Sequence, residues 1–555
     1  MLLYCIFACS TQESTTSTVS EKEKPISSPP KKPPPPQQPD MKMTPLPPTD
    51  IQEPVGPIGA GVFKKDSPTL QKSPTDAALC EDCDVVLISI CSLRKDYVSA
   101  YGLQKNLTPS IDSIAKEGLR FEKAYAASSF TLAGLTALLT GRFGSSTGVT
   151  GWDKGLTKEI ATLPEVLGFY GYSTAAFTTN AASGFRPDYG LDRGFQHMEI
   201  YEAPPGTPDG RHRGGSRILG ASAKPIQNWI SKAPTDKPIF AMLHTRSAHF
   251  PFVIDQSGSA QDATGITDLL YRAGMPSEDQ IVKDHALPGM AGGTKHQGVV
   301  PIQGRDPLQV QIEKVGSEGV DVWKRHYADA VNRMDLDIAL VVDALKKRGR
   351  WDKTILIIVA DHGESLNDHG ELLHGDGYYD GVTNVPLIIK VPGFSAGTTN
   401  SLVSHVDIMP TILELIGAME PSGIDGVSML PLFEKNDTEI RSVAFSEGGV
   451  AKHSLDNLPG AVYAPPWVLL RQKRGCSTFG RTMNKGVPVC LYNMETDPEQ
   501  NINVADDNRT VVKELLTLWS EYRSARSQSA EQLKLTPEFI EELRRNGYNF
   551  SSGTP

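Results

Sequence analysis

Positive charge is in short supply in this sequence. Lys and Arg number 55 against 65 Asp and Glu, a net charge of −10 over 555 residues. Holding a nucleic-acid backbone needs a broad cationic face, so that class of partner is set aside and only a local basic pocket stays open. Cysteine is scarce too: seven are too few for a disulfide scaffold. There is no internal repeat, no Walker phosphate loop and no dinucleotide fingerprint, which removes repeat arrays and the commonest nucleotide-binding folds. What is left, 39% hydrophobic and 22% charged residues, is the make-up of a soluble globular chain long enough for a large core plus a smaller domain.

The apolar opening, residues 1–8, stops too soon to span a bilayer. It runs through Ile6-Phe7-Ala8 into Cys9, which resembles a bacterial lipoprotein cleavage box without the usual preceding Lys or Arg. The expectation is a signal segment over 1–9 and an exported chain, held in the bacterial cell envelope by a lipid on Cys9 as its only membrane attachment. The competing reading is the irregular start of a cytosolic protein. Residues 10–82 come next, dominated up to residue 73 by Ser, Thr, Pro, Lys and Gln and including Pro33-Pro34-Pro35-Pro36. Such a stretch cannot bury enough apolar surface to fold, and it reads as a disordered tether.

Folding begins with Asp84-Val85-Val86-Leu87-Ile88-Ser89-Ile90, an almost unbroken apolar run rich in β-branched residues, as in a parallel strand buried on both faces. Runs of the same kind fall at 172–179, 238–244, 354–360 and 385–391. Helical stretches lie between them, at 109–120, 132–140, 163–170 and about 326–348; in the last, Tyr327, Val331, Met334, Ile338, Val341 and Leu345 make one apolar stripe. Strands alternating with helices predict an α/β domain over 83–435, with a large, mostly parallel sheet sandwiched by helices. Residues 254–319, rich in Gly, Asp, Gln and Ser, read as a surface insertion that shapes substrate choice. Short strand-like pieces and a helix near 511–522 predict a smaller α+β domain over 436–535, followed by a tail over 536–555.

In an open α/β sheet, reactive groups collect at the carboxyl ends of the strands. The run at 354–360 ends in Asp361-His362-Gly363-Glu364, the one at 238–244 ends in His244 with His249 beyond it, and the first strand ends at Cys91; His369 and His374 add imidazoles. A carboxylate beside an imidazole is a good divalent-metal pair, and the other histidines suit anion contact or proton transfer. One histidine alone is more simply structural; the cluster is what points to chemistry. Cys80 and Cys83 sit before the first strand, and Cys476 and Cys490 flank a Gly- and Arg-rich loop, so one or two disulfides fit an oxidising compartment. A Cys476–Cys490 bridge is expected, worth about 3 kcal/mol on the chain-entropy account. Cys80-x-x-Cys83 also reads as half a zinc site, with no second pair at matching spacing.

Several motifs stand in a telling order: Cys91-Ser92-Leu93-Arg94-Lys95-Asp96-Tyr97; Thr131-Leu132-Ala133-Gly134 running into Leu138-Leu139-Thr140-Gly141-Arg142; His249-Phe250-Pro251-Phe252; Asp361-His362-Gly363-Glu364 with His374-Gly375; and Val385-Pro386-Leu387-Ile388-Ile389. Leu491-Tyr492-Asn493-Met494-Glu495-Thr496-Asp497-Pro498-Glu499 and Asn503 follow. Over residues 84–522 the chain thus resembles the sulfatase family of alkaline phosphatase-like hydrolases. The resemblance implies Asp361 and His362 as metal ligands, His249 at the ester or its leaving group, His374 as a second anion contact, and Thr131 at the position of the nucleophile. Sulfatases proper carry there a cysteine that is oxidised to formylglycine, followed by Pro or Ala and then Arg. Thr131, Ala133 and Leu135 rule that aldehyde out. Cys91 stands where the family has an aspartate ligand, with Asp96 five residues on.

The implied cofactor is one divalent metal ion. With Cys91 as a ligand its thiolate favours zinc; without it, calcium, magnesium or manganese fits. A buried, inert Cys91 is the alternative. Thr131, just ahead of a helix starting near Leu132, is placed to N-cap it, so that the helix N–H groups and dipole favour its ionised oxygen and a substrate anion. A purely structural cap is the plainer reading. The leading expectation is a metal-dependent hydrolase or transferase for sulfate or phosphate esters of a small molecule, glycan or lipid. Its rival is a degenerate sulfatase fold that binds an anionic glycan or envelope component without turnover.

Overall fold

The computed structural model describes residues 79–533 and Thr536, except 81, 180–183, 202–222, 250–316, 376, 450–456, 473–475, 477–486, 525–529 and 534–535. The signal segment, the tether up to 78, the insertion up to 316 and the tail beyond Thr536 lie outside the described residues.

Strand β1 (Asp84–Ile90) is buried along its whole length and lies inside an eight-stranded sheet. Its companions are β2 (Leu119–Tyr125), β3 (Ser173–Thr179), β4 (His197–Tyr201), β5 (Ile239–Thr245), β6 (Thr354–Ala360), β7 (Leu387–Lys390) and β8 (Gly397–Ser404), in the order β8-β2-β7-β6-β1-β5-β3-β4. Seven strands run parallel, while β7 is antiparallel to both neighbours. Strands β1, β5 and β6 expose no residue, as a sheet covered on both faces requires. The flanking helices are α1 (Pro109–Ala115), α2 (Thr131–Thr140), α3 (Leu163–Phe169), α4 (Ala223–Lys232), α5 (Ser317–Lys347) and α6 (Ile408–Ile416). The stripe on α5 from Tyr327 to Leu345 is fully buried in the main core.

Several boundaries differ from the sequence reading. The helix expected over 109–120 stops at Ala115, and Leu119 already belongs to β2. A Cβ on Gly118 would lie 2.7 Å from the carbonyl oxygen of Ile389, so the chain there is pressed against the strand beside it. The run at 385–391 is a buried strand but antiparallel, because an apolar run records burial and not direction. Strands β4 and β8 form the two sheet edges and lack the continuous apolar run that marks a central strand. Helix α5 begins at Ser317, inside the range read as insertion, as Trp323 extends its buried stripe by a turn. Thr131 is not the N-cap. Phe130, extended at φ −147° and ψ 154°, holds that place, and Thr131 is the first helical residue.

The smaller domain is an antiparallel sheet of β9 (Ala444–Glu447), β10 (Gly460–Ala464), β11 (Trp467–Arg471) and β12 (Val489–Asn493), with α7 (Arg509–Ser524). Phe143, from the segment after α2, meets Phe445 and Tyr522 edge-on and belongs to the core of the smaller domain. Disulfides link Cys80 to Cys83 and Cys476 to Cys490, which removes the half-zinc-site reading of the first pair. Among the described residues, no helix is long and apolar enough to cross a membrane.

Candidate active site

Neighbouring strands β6, β1 and β5 deliver their next residues to one edge of the sheet. Asp361 and His362 follow β6, Cys91 follows β1, and Arg246 to His249 follow β5. Helix α2 brings Thr131 to the same place. It approaches so closely that a Cβ on Gly134 would lie 2.6 Å from the carbonyl oxygen of Asp361. Tyr327 of α5 fixes the loop after β1, its hydroxyl donating to Ser92 O (2.7 Å) and accepting from Arg94 N (2.8 Å). The buried Arg94 in turn binds Asp96, Asp368 and the carbonyl of Glu364, tying that loop to the one that carries His374. Asp96 is thus engaged by Arg94.

The Oγ1 of Thr131 lies 3.2 Å from Nε2 of His362 and 3.4 Å from Sγ of Cys91. That nitrogen is 3.9 Å from the sulfur and 3.6 Å from Oδ2 of Asp361. The tautomer of His362 is set by its neighbour: Nδ1 donates to Gly363 O at 2.8 Å, which leaves the Nε2 lone pair facing Thr131. Oδ1 of Asp361 accepts the backbone N–H groups of Ser92 (3.3 Å) and His362 (2.8 Å). Its Oδ2, and Nε2 of His244, are buried with no hydrogen-bond partner among the described residues. The ligand atoms of Cys91, His244 and Asp361 all lie within 4.8 Å of one another.

These residues fit a metal ion. Buried polar atoms left without partners are costly, and an ion satisfies them. A tetrahedral site with metal–ligand bonds of about 2.0–2.3 Å has ligand–ligand edges of about 3.3–3.7 Å, close to the 3.6 and 3.9 Å from His362 Nε2 to Asp361 Oδ2 and Cys91 Sγ.

Burial sets the charges. It pushes the Cys91 thiol far above its usual range, helped by the Asp361 carboxylate, so the thiol keeps its proton until something displaces it. Burial lowers His362 and His244 to about 4 and His374 to about 3, so all three rings are neutral at pH 7. It raises Glu364 to about 8. Burial works against the Asp361 carboxylate, but attraction to the three rings as they gain a proton outweighs it and keeps Asp361 below the usual carboxylate range. Oε1 of Glu364 is 3.0 Å from Nδ1 of His374. A protonated Glu364 therefore donates to Nδ1, and the ring carries its own proton on Nε2.

Thr131, Cys91, Asp361 and His362 are thus in mutual contact, with His374 and His249 beside them in a row of imidazoles. Ring centroids are 4.1 Å apart for His362 and His374, and 4.9 Å for His374 and His249. His369 does not join; it is exposed and stacks on Tyr379 at 3.8 Å. The sequence reading assigned no role to Glu364 or Arg246 and did not place His244 among the metal donors. A histidine ending a central strand was the available signal for His244, whereas a lone arginine offers none.

An open α/β sheet with acid, imidazole and hydroxyl groups gathered at its carboxyl edge, beside a small antiparallel domain, is the arrangement that the resemblance to alkaline phosphatase-like hydrolases implies. Residues 84–418 match the sulfatase family, and the chain belongs to it. It is similar to the N-acetylglucosamine-6-O-sulfatase of Bacteroides thetaiotaomicron, 25% identical over 398 residues covering 63% of this chain and 71% of the relative. Similarity to the arylsulfatase of Clostridium perfringens is 23% over 406 residues, 67% of this chain and 82% of the relative. Among solved structures, the phosphonate monoester hydrolase of Agrobacterium radiobacter shares the fold, with a TM-score of 0.58 and 19% identity over 82% of this chain and 98% of that one.

Proposed function

We propose that this sulfatase-like hydrolase acts on phosphate or sulfate esters through Thr131 as nucleophile, with hydrolysis or transfer completing the cycle. The observation that supports this most directly is the setting of Thr131 Oγ1, in contact with both His362 Nε2 and Cys91 Sγ at the first residue of α2. The helix N-terminus favours the oxygen as it gains negative charge. Cys91, Asp361 and His362 would hold the metal, with His244 within reach of the first two. A bound divalent ion lowers the pKa of the hydroxyl and polarises the ester oxygens. A sulfur donor beside imidazole and carboxylate favours zinc over calcium or magnesium.

The chain's own groups then manage the protons. As Thr131 Oγ1, its proton given up to solvent, attacks phosphorus, Nε2–H of His374 protonates the departing oxygen while Glu364 passes its proton to Nδ1. The same relay runs backwards when water or an acceptor hydroxyl displaces the phosphoryl group from Thr131. Threonine has no second hydroxyl on its reacting carbon, so a sulfated Thr131 could leave only by direct attack at sulfur, whereas a phosphorylated one leaves by in-line displacement. Phosphate esters are therefore turned over at least as well as sulfate esters. The relatives' names, an N-acetylglucosamine-6-O-sulfatase and a phosphonate monoester hydrolase, are compatible with a glycan or small-molecule ester.

Rapid acid quench during turnover of a chromogenic phosphate ester, followed by peptide mass spectrometry, should recover a phosphorylated Thr131. Full turnover with no adduct at any quench time would overturn the proposal. The neutral, deeply buried Cys91 thiol favours the second reading, anion binding without chemistry, which predicts bound ester with neither adduct nor product.

A further inference from the structure

A guanidinium keeps its charge at any ordinary pH, and a buried one needs an opposite charge close by. Arg246 is 1% exposed. Its Nη2 donates to Nε2 of His249 at 2.9 Å, and a nitrogen that accepts carries no proton, so this partner is a neutral imidazole. Nε and Nη1 have no hydrogen-bond partner among the described residues. Acids in this part of the fold are otherwise engaged: Asp337 accepts from Ser247 Oγ at 3.1 Å, and Oδ1 of Asp361 accepts two backbone N–H groups. The arginine nonetheless stands within the site, in contact with His249 and close enough for its charge to act on Cys91, His244 and His374. On α2, where sulfatases carry an arginine, the buried and apolar Leu135 can offer an anion nothing.

We propose that Arg246 is the anion-binding cation of this site, its idle N–H donors receiving non-bridging oxygens of a tetrahedral phosphate or sulfate group in place of an arginine on α2. This rests on reading the site as one for phosphate or sulfate esters, and it names the group that recognises their charge. The cation has moved from the helix that carries the nucleophile to the loop after β5. His249, whose Nε2 holds Nη2, acts here as a positioning residue for the guanidinium.

Binding of inorganic phosphate to the full chain, measured by titration calorimetry, tests this. Arg246→Gln should weaken binding at least about 30-fold, the loss expected when one partner of a buried charge pair is removed. Arg246→Lys should recover part of it, as a point charge without the guanidinium's geometry does. Thermal melting supplies the folding control. Phosphate should raise the melting temperature of the parent but not of Arg246→Gln. In anion-free buffer, Arg246→Gln should melt no lower than the parent, because an unpaired buried charge has been removed. Undiminished phosphate binding by Arg246→Gln, no phosphate binding by the parent, or a lower melting point of Arg246→Gln in anion-free buffer would each overturn the inference. Parent-like ester turnover by Thr131→Ala would instead remove the nucleophile and leave Arg246 where it is.

Discussion

As a metal ligand, the role proposed for it, Cys91 would decide which ions suit the site. A carboxylate at the end of β1 would complete an oxygen-rich set for calcium or magnesium, whereas sulfur beside imidazole and carboxylate favours zinc. Cys91→Asp should therefore shift the metal content of the purified protein from zinc toward calcium or magnesium, read by elemental mass spectrometry. Unchanged content and selectivity would put Cys91 outside the coordination shell. Residues of this kind were legible in the sequence because they stand in motifs at strand ends, as Asp361, His362 and His374 do. Arg246, Glu364 and Tyr327 were not, because each acts through what lies opposite it. Arg246 matters through His249 and its idle donors, Glu364 through His374 at 3.0 Å, and Tyr327 through the backbone of Ser92 and Arg94.

At the scale of elements, the site depends on how tightly α2 sits on the end of β6. The contact is backbone on backbone at Gly134, so no side chain can rotate away to make room. Gly134→Ala should cost about 1–3 kcal/mol, the range for overpacking, and should lower turnover by moving Thr131 from its neighbours. Urea unfolding and steady-state rates would measure the two effects; parent-like values in both would mean that α2 has slack. Central strands β1, β5 and β6 were readable because burial on both faces leaves an unbroken apolar signal. Strand β2 was hidden by Arg120, Glu122 and Lys123, which are only partly buried. The direction of β7 was not readable at all, since it follows from the path of the chain after Asp361.

For the whole molecule, buried histidines govern the response to acid. His405 is closed in the core, with Nε2 donating to Ala360 O at 2.9 Å and Nδ1 accepting from Ala127 N at 3.3 Å, and burial lowers it to about 4. The unfolded chain takes up this proton near pH ~6.5, while the folded protein takes it only near 4, so the unfolded state binds more protons in between and stability falls as pH drops through that window. Each such group contributes a slope of at most ~1.4 kcal/mol per pH unit. His405→Gln should flatten the dependence of the urea midpoint between pH 6.5 and 4.5, and an identical slope would exclude His405 as a source. As proposed, this member of the sulfatase family works through a threonine hydroxyl on esters that a threonine can release. The most direct test of that role is the multiple-turnover rate of the parent and of Thr131→Ala on a matched pair of phosphate and sulfate monoesters. Turnover of the phosphate ester should at least equal that of the sulfate ester, and both should be lost in Thr131→Ala with the fold intact. Sustained sulfate-ester hydrolysis without phosphate-ester hydrolysis, or parent-like rates in Thr131→Ala, would contradict it.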